Sequence, residues 1–228
     1  MELRAVKLGR PGQVALLIAG RIDPGDAAQL QGAGRLLAPG EAVALVVLNS
    51  PGGAVGEASA MARQIRALGV PVLVPSRGVC ASACFLLFAA GAPRFAEAGA
   101  HIGVHSASVS GGGENRDTLA TTALMAREAA AYGVPPSITG RMVTTAPGAI
   151  AWLAPSELAA MAVRLLPAGA SSGTGAANAP GSGAGPVSDW TRGFQFGEAH
   201  PVDACEAPHE AVNAGDWRLG CRSGQSAR

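Results

Sequence analysis

Along the chain, short β-branched apolar runs alternate with stretches in which apolar residues recur at helical spacing. Val14 to Ile22 predicts a strand, and Asp23-Pro24-Gly25-Asp26 supplies a turn and an N-cap for a helix running to about Leu37. Glu41 to Leu48 predicts a continuous apolar strand buried on both faces, ending in Asn49-Ser50-Pro51-Gly52-Gly53. Met61, Ile65 and Leu68 then mark an amphipathic helix, Val70 to Pro75 a third strand, Ser82 to Ala90 an apolar helix and His101 to His105 a short strand. Strands alternating with helices in this order pair in parallel through crossover helices, so the predicted class is α/β.

Composition changes this picture at the carboxyl-terminal end. From Ala168 to Ser188 there are 21 uncharged residues, 12 of them Gly or Ala, with Val187 the one bulky apolar side chain. Such a segment cannot bury enough surface to offset the entropy of ordering it. The expected organisation is therefore a domain at 1–167, a flexible linker at 168–188 and a small tail at 189–228. Across the 228 residues, 32 Gly and 48 Ala inflate the 48 % hydrophobic fraction, which leaves apolar bulk for one core of moderate size.

Charge narrows the function classes. Seventeen basic residues against 16 acidic ones give no electrostatic footprint for nucleic acid or an anionic membrane. Lys7 is the only lysine, which nearly excludes chemistry that needs a titrating amine. The longest apolar stretch, Val79 to Ala92, is 14 residues, too short to span a bilayer. Arg4, Lys7 and Arg10 before Val14 to Ala19 imitate an export leader only faintly, and a strand is the better reading of that run.

The candidate chemistry lies in three places. Gly52 and Gly53 follow the carboxyl end of a predicted strand, where two glycines let the backbone approach a ligand with free N–H groups. Ser82 opens an apolar helix, where a plain N-cap is the alternative reading. His101 and His105 fall four apart on a predicted strand and share a face. A donor-rich turn, a helix-opening serine and a strand histidine together are the parts of a serine hydrolase.

On these residues the chain resembles the proteolytic subunit of Clp protease and the wider Clp protease/crotonase superfamily. The resemblance is carried by Asn49 to Gly53, Ala81 to Gly91, Arg94-Phe95, Ile102 to His105 and Trp152 to Leu158, and covers about 13–166. Cys80-Ala-Ser82-Ala-Cys84 looks most like a divergent bacterial branch with a Cys-x-Ser-x-Cys motif. The resemblance implies repeated β-β-α units with mainly parallel strands. It also implies Ser82 as nucleophile, His105 as general base, and Gly53 and Ala83 as oxyanion-hole amides. It implies a peptide or unfolded protein as substrate and a homo-oligomer; no cofactor or metal is expected, and with no Walker-type phosphate loop in the sequence any ATPase would be a separate partner.

The same alignment places Ile150 where the family's triad aspartate would stand. Asp117, near the start of a helix at about Arg116, is a weak substitute for that acid, and Glu114 a weaker one. A Ser82–His105 dyad oriented by a backbone carbonyl or water is the remaining arrangement. The Ser–Lys variant would need Lys7, far from any matched segment.

Four cysteines in two local pairs fit an oxidising compartment, with periplasmic or secreted location slightly favoured. Cys80 and Cys84 can bridge only if the turn between them is not regular helix, and Cys205 with Cys221 is the second candidate pair. His200, Cys205, His209 and Cys221 match no common zinc spacing. The leading expectation is a serine peptidase-like hydrolase. A catalytically idle scaffold of the same fold is the alternative, and an acyl-CoA-binding crotonase-type protein the third reading.

Overall fold

A computed structural model describes residues 1–109 and 113–168. All but the first residue of the expected linker, together with the tail and the Cys205–Cys221 pair, lies outside the described residues. The elements in chain order are β1 (Glu2–Lys7), β2 (Gln13–Ala19), α1 (Asp26–Gln31), a 3-10 turn (Gly32–Leu36), β3 (Ala42–Asn49), α2 (Val55–Leu68) and β4 (Val72–Val74). There follow β5 (Val79–Ala81), α3 (Cys84–Ala90), β6 (Arg94–Glu97), β7 (His101–Val104), α4 (Arg116–Ala131), α5 (Pro136–Thr144), β8 (Ala151–Trp152), α6 (Pro155–Ala160) and β9 (Val163–Leu166).

Six strands form one sheet in the order β1-β2-β3-β4-β6-β9, and β5-β7-β8 form a smaller one. Only β1 with β2 and β7 with β8 run antiparallel; the other named pairs are parallel. This is the mixed α/β architecture with a mostly parallel sheet that the sequence pattern predicts. Among the described residues no helix is long and apolar enough to cross a membrane.

The core gathers on α3, whose residues Cys84 to Ala89 are fully buried. Phe85 and Phe88 are its largest buried side chains. Helix α2 covers it with Ala58, Met61, Ala62 and Ile65, an i, i+3, i+4, i+7 stripe, and ends at Gly69 in the left-handed conformation (φ 64°). Helix α4 starts on a capping box: Asn115 accepts from the Thr118 N–H, and Thr118 Oγ1 accepts from the Asn115 N–H. Arg94 ties three element ends together, donating to the carbonyls of Ala89, Met161 and Tyr132. Burial pulls its pKa below the ordinary value, with Arg66 adding to the effect.

Several boundaries differ from the sequence reading. The helix expected to reach Leu37 stops at Gln31, because Gly32 and Gly34 favour the tighter 3-10 turn. Strand β3 is not buried on both faces: Val46 and Leu48 are buried, whereas Leu45 and Val47 are only partly covered. Strand β2 ends at Ala19, since Gly20 turns with φ 84°, and Ile22 survives as an isolated bridge to Gly53. The run after the basic N-terminal residues is a strand, and Glu2–Lys7 forms a further strand, unpredicted, that pairs with it.

Candidate active site

The carboxyl ends of β3, β5 and β7 converge. Asn49, at the end of β3, accepts the Val79 N–H through Oδ1 at 3.0 Å and so ties its strand to β5. Ser50 continues this suture: its N–H donates to the Val79 carbonyl (2.7 Å) and its carbonyl accepts from the Ala81 N–H (3.1 Å). Fully buried, Ser50 also accepts the Gly52 N–H on its hydroxyl at 3.1 Å, which folds the Pro51-Gly52-Gly53 turn back on itself.

Both glycines are required sterically. Gly52 has φ 95°, and a Cβ there would lie 2.7 Å from the Ala81 carbonyl oxygen and 2.8 Å from both the Ala83 nitrogen and Ser82 Cβ. Gly53 has φ 144°, and a Cβ would lie 2.1 Å from the Ile22 carbonyl oxygen. Ile22 donates to the Gly52 carbonyl and accepts from the Ala54 N–H, both at 2.8 Å. In a parallel bridge of this kind the N–H of the residue between points the other way, so that of Gly53 is turned from Ile22.

Ser82 is the bend between β5 and α3. The sequence predicts a helix from Ser82, but the helix begins at Cys84 because Ser82 is left-handed, with φ 59°. A non-glycine residue in this region costs on the order of 1 kcal/mol and persists only where its surroundings hold it. Two tethers hold this one. The Ser82 N–H donates to the Gly103 carbonyl at 3.1 Å, and a disulfide joins Cys80 to Cys84 across a Cα–Cα distance of 5.2 Å. The bridge requires the non-helical turn that the spacing demanded. Neither the Ala83 N–H nor the Gly53 N–H has an acceptor among the described residues.

His105 lies one residue beyond β7. The register pairs Ala81 with Gly103, so Ser82 and His105 leave adjacent parallel strands one residue out of step. At an interstrand spacing near ~4.8 Å and a rise of ~3.3 Å, that offset puts their Cα atoms roughly 6 Å apart. His105 Nδ1 is 2.7 Å from the Ser106 carbonyl oxygen. A carbonyl can only accept, so Nδ1 carries the proton and the Nε2 lone pair is left as the base. Burial lowers the His105 pKa below its ordinary value, and the bond to Ser106 offsets part of that shift.

The other sequence candidates stand elsewhere. Asp117 is exposed on the first turn of α4, where its backbone carbonyl accepts from Thr121. Glu114 accepts the Ser106 hydroxyl at 2.7 Å. Extending the antiparallel pairing of Val104 with Ala151 by one residue sets Ile150 across from His105, with its side chain packed over Gly103. Apolar carbon therefore occupies the place the alignment gave to the acid. His101 contacts the Trp152 ring edge-on, with centroids 5.7 Å apart. Lys7 pairs with Glu41 at the amino end of the main sheet, the end opposite Gly52. The sequence reading assigned no role to Asn49, Ser50 or Ser106. The conspicuous Asn-Ser-Pro-Gly-Gly run marks the first two, whereas a backbone carbonyl leaves no signature in sequence.

A family model described as Clp protease matches residues 35–134, a span that includes Gly53, Ser82, Ala83 and His105 and stops short of Ile150. No curated protein matches the sequence. Among solved structures the chain is similar to ClpP1 from Listeria monocytogenes, with a TM-score of 0.52 and 20% identity over 67% of this chain and 91% of that one. It is also similar to a serine-to-alanine mutant of the 1510-N membrane-bound stomatin-specific protease, with a TM-score of 0.50 and 19% identity over 67% of this chain and 77% of that one. At these identities the solved structures speak for the fold alone, and the family match covers 100 of the 228 residues. Over 35–134 the chain is similar to the Clp protease family, and it shares the fold of these Clp protease-like structures.

Proposed function

We propose that the chain is a serine peptidase-like hydrolase acting on peptides or unfolded protein through Ser82 and His105. The observation that carries the reading is the strained Ser82 bend set beside a histidine whose Nδ1 is already committed, with two N–H groups at the same place that have no acceptor among the described residues. In this mechanism His105 Nε2 takes the Ser82 hydroxyl proton as Oγ attacks the peptide carbonyl. The Gly53 and Ala83 N–H groups stabilise the oxyanion. His105 then gives its proton to the leaving amine, and water activated by the same imidazole releases the acyl group.

A neutral carbonyl on Nδ1 fixes the tautomer but stabilises the imidazolium less than a carboxylate would. The loss of about ten-thousand-fold that follows acid-to-amide replacement in a serine protease arises from a wrong tautomer, so the penalty here is smaller than that. The Cys80–Cys84 bridge supports an oxidising compartment.

The apolar Ile150 across from His105 favours the rival reading of an idle scaffold. A fluorophosphonate probe separates the two. Labelling of the native protein that disappears in Ser82→Ala and His105→Ala supports the hydrolase, whereas equal labelling of native and Ser82→Ala protein rejects it.

A further inference from the structure

Among the described residues no carboxylate is bonded to the proposed base, yet its imidazole is not loosely held. The acceptor on Nδ1 is the carbonyl of the peptide group between Ser106 and Ala107. Because that group is planar and trans, its C=O and N–H point in opposite directions, and fixing one aims the other. The Ala107 N–H donates to Thr122 Oγ1 at 2.9 Å, and the Thr122 hydroxyl donates onward to the Thr118 carbonyl at 2.8 Å, within α4. Ser106 itself is pinned twice more, by its N–H to the Thr145 carbonyl (2.9 Å) and by its hydroxyl to Glu114 (2.7 Å). Ser106 and Thr122 are 1% and 3% exposed, so water does not compete for these bonds.

We infer that Thr122 is a positioning residue for His105: through the Ala107 N–H it orients and polarises the peptide carbonyl that holds the imidazole in its base-competent tautomer. The chain runs His105 Nδ1–H to the Ser106 carbonyl, then Ala107 N–H to the Thr122 hydroxyl, then to the Thr118 carbonyl. Each donor's bond strengthens the next in a low-dielectric setting. Glu114 supports the same peptide group from the Ser106 side chain. The Ser106 carbonyl thus stands on Nδ1, where a triad acid would bond, and helix α4 backs it through Thr122. The inference rests on the Ser82–His105 reading for its catalytic consequence, but the geometry it asserts stands apart from activity.

Two measurements on the full chain test it. Nitrogen-15 spectra of the histidine rings report the His105 tautomer directly, with the signal assigned by its loss in His105→Ala. The native protein is expected to show Nδ1–H, and an Nε2–H tautomer overturns the inference without any variant. Thr122→Val keeps the branched shape but removes the acceptor, so the spectrum should move toward mixed tautomers. Fluorophosphonate labelling of Ser82 should then slow about tenfold, the effect of one lost buried hydrogen bond. Thr122→Ser restores the hydroxyl and should return both readouts to within about twofold of native. Native tautomer and native labelling in Thr122→Val would overturn the inference while leaving the peptidase reading intact. A tautomer change in a protein that never labels would leave the positioning role standing and remove the peptidase.

Discussion

Replacing both Cys80 and Cys84 by alanine probes what holds Ser82 in its left-handed bend. The bridge closes a loop of sequence separation 4, and the loop-entropy relation gives about 2 kcal/mol of stability for a ring that small. Both cysteines are fully buried, so losing two sulfur atoms from the core adds about 1 kcal/mol. The expected total is about 3 kcal/mol, read as a fall in the urea midpoint with an unchanged slope.

The functional effect should be separable from that loss. Without the bridge, the Ser82 N–H to the Gly103 carbonyl is left to oppose the ~1 kcal/mol drive of Ser82 toward ordinary helical geometry. Relaxation would extend α3 backwards and turn the hydroxyl away from His105. Labelling by fluorophosphonate, measured where the variant is still fully folded, should therefore drop, by up to about fivefold for a drive of ~1 kcal/mol. A variant that is less stable yet labels at the native rate would refute the claim that the bridge holds the nucleophile. An unchanged urea midpoint would refute the entropic argument.

Four further outcomes follow from the same structure. Ile150→Asp sets a carboxylate across from His105. Because charge-assisted bonds are roughly twice as strong as neutral ones, labelling near neutral pH should rise about tenfold and its acid limb should move to higher pH, which a pH–rate profile would show or deny. In the native protein the lowered His105 pKa means the imidazole is mostly neutral at pH 6.5, so labelling there should remain above half of its plateau and fall only at lower pH. The same shift makes the unfolded chain the better proton binder: the His105 contribution to stability is whole above pH 6.5 and is lost as pH falls toward the lower folded value, seen as a declining urea midpoint. Arg94→Ala strands the carbonyls of Ala89, Met161 and Tyr132 and should cost about 2–3 kcal/mol, with an unshifted midpoint counting against the clamp.

How much was legible in the sequence depends on what kind of interaction carried each feature. Strand β3, helix α2 and the apolar helix α3 could be read because burial writes its period into the chain. Gly52 and Gly53 could be read because no other residue fits a backbone at φ 95° and 144° pressed against Ser82 and Ile22. The Ser82 conformation could not, since an Ala-Ser-Ala run before Phe85-Leu86-Leu87 has the composition of a helix start. The Gly103 carbonyl and the Cys80–Cys84 bridge, both brought to Ser82 by the fold, decide otherwise.

Pattern and composition were enough for the α/β class, the Gly-Gly turn and the residue types available for chemistry, with a single lysine leaving little room for an amine base. The family resemblance also set Ile150 at the position expected of an acid, a placement that needs only side-chain identities along the chain. What stands on His105 instead was decided only by the tertiary structure. The acceptor is a peptide carbonyl, a group every residue carries, and its direction is set by Thr122 and Glu114 from a helix and loop that pattern alone does not bring to the site.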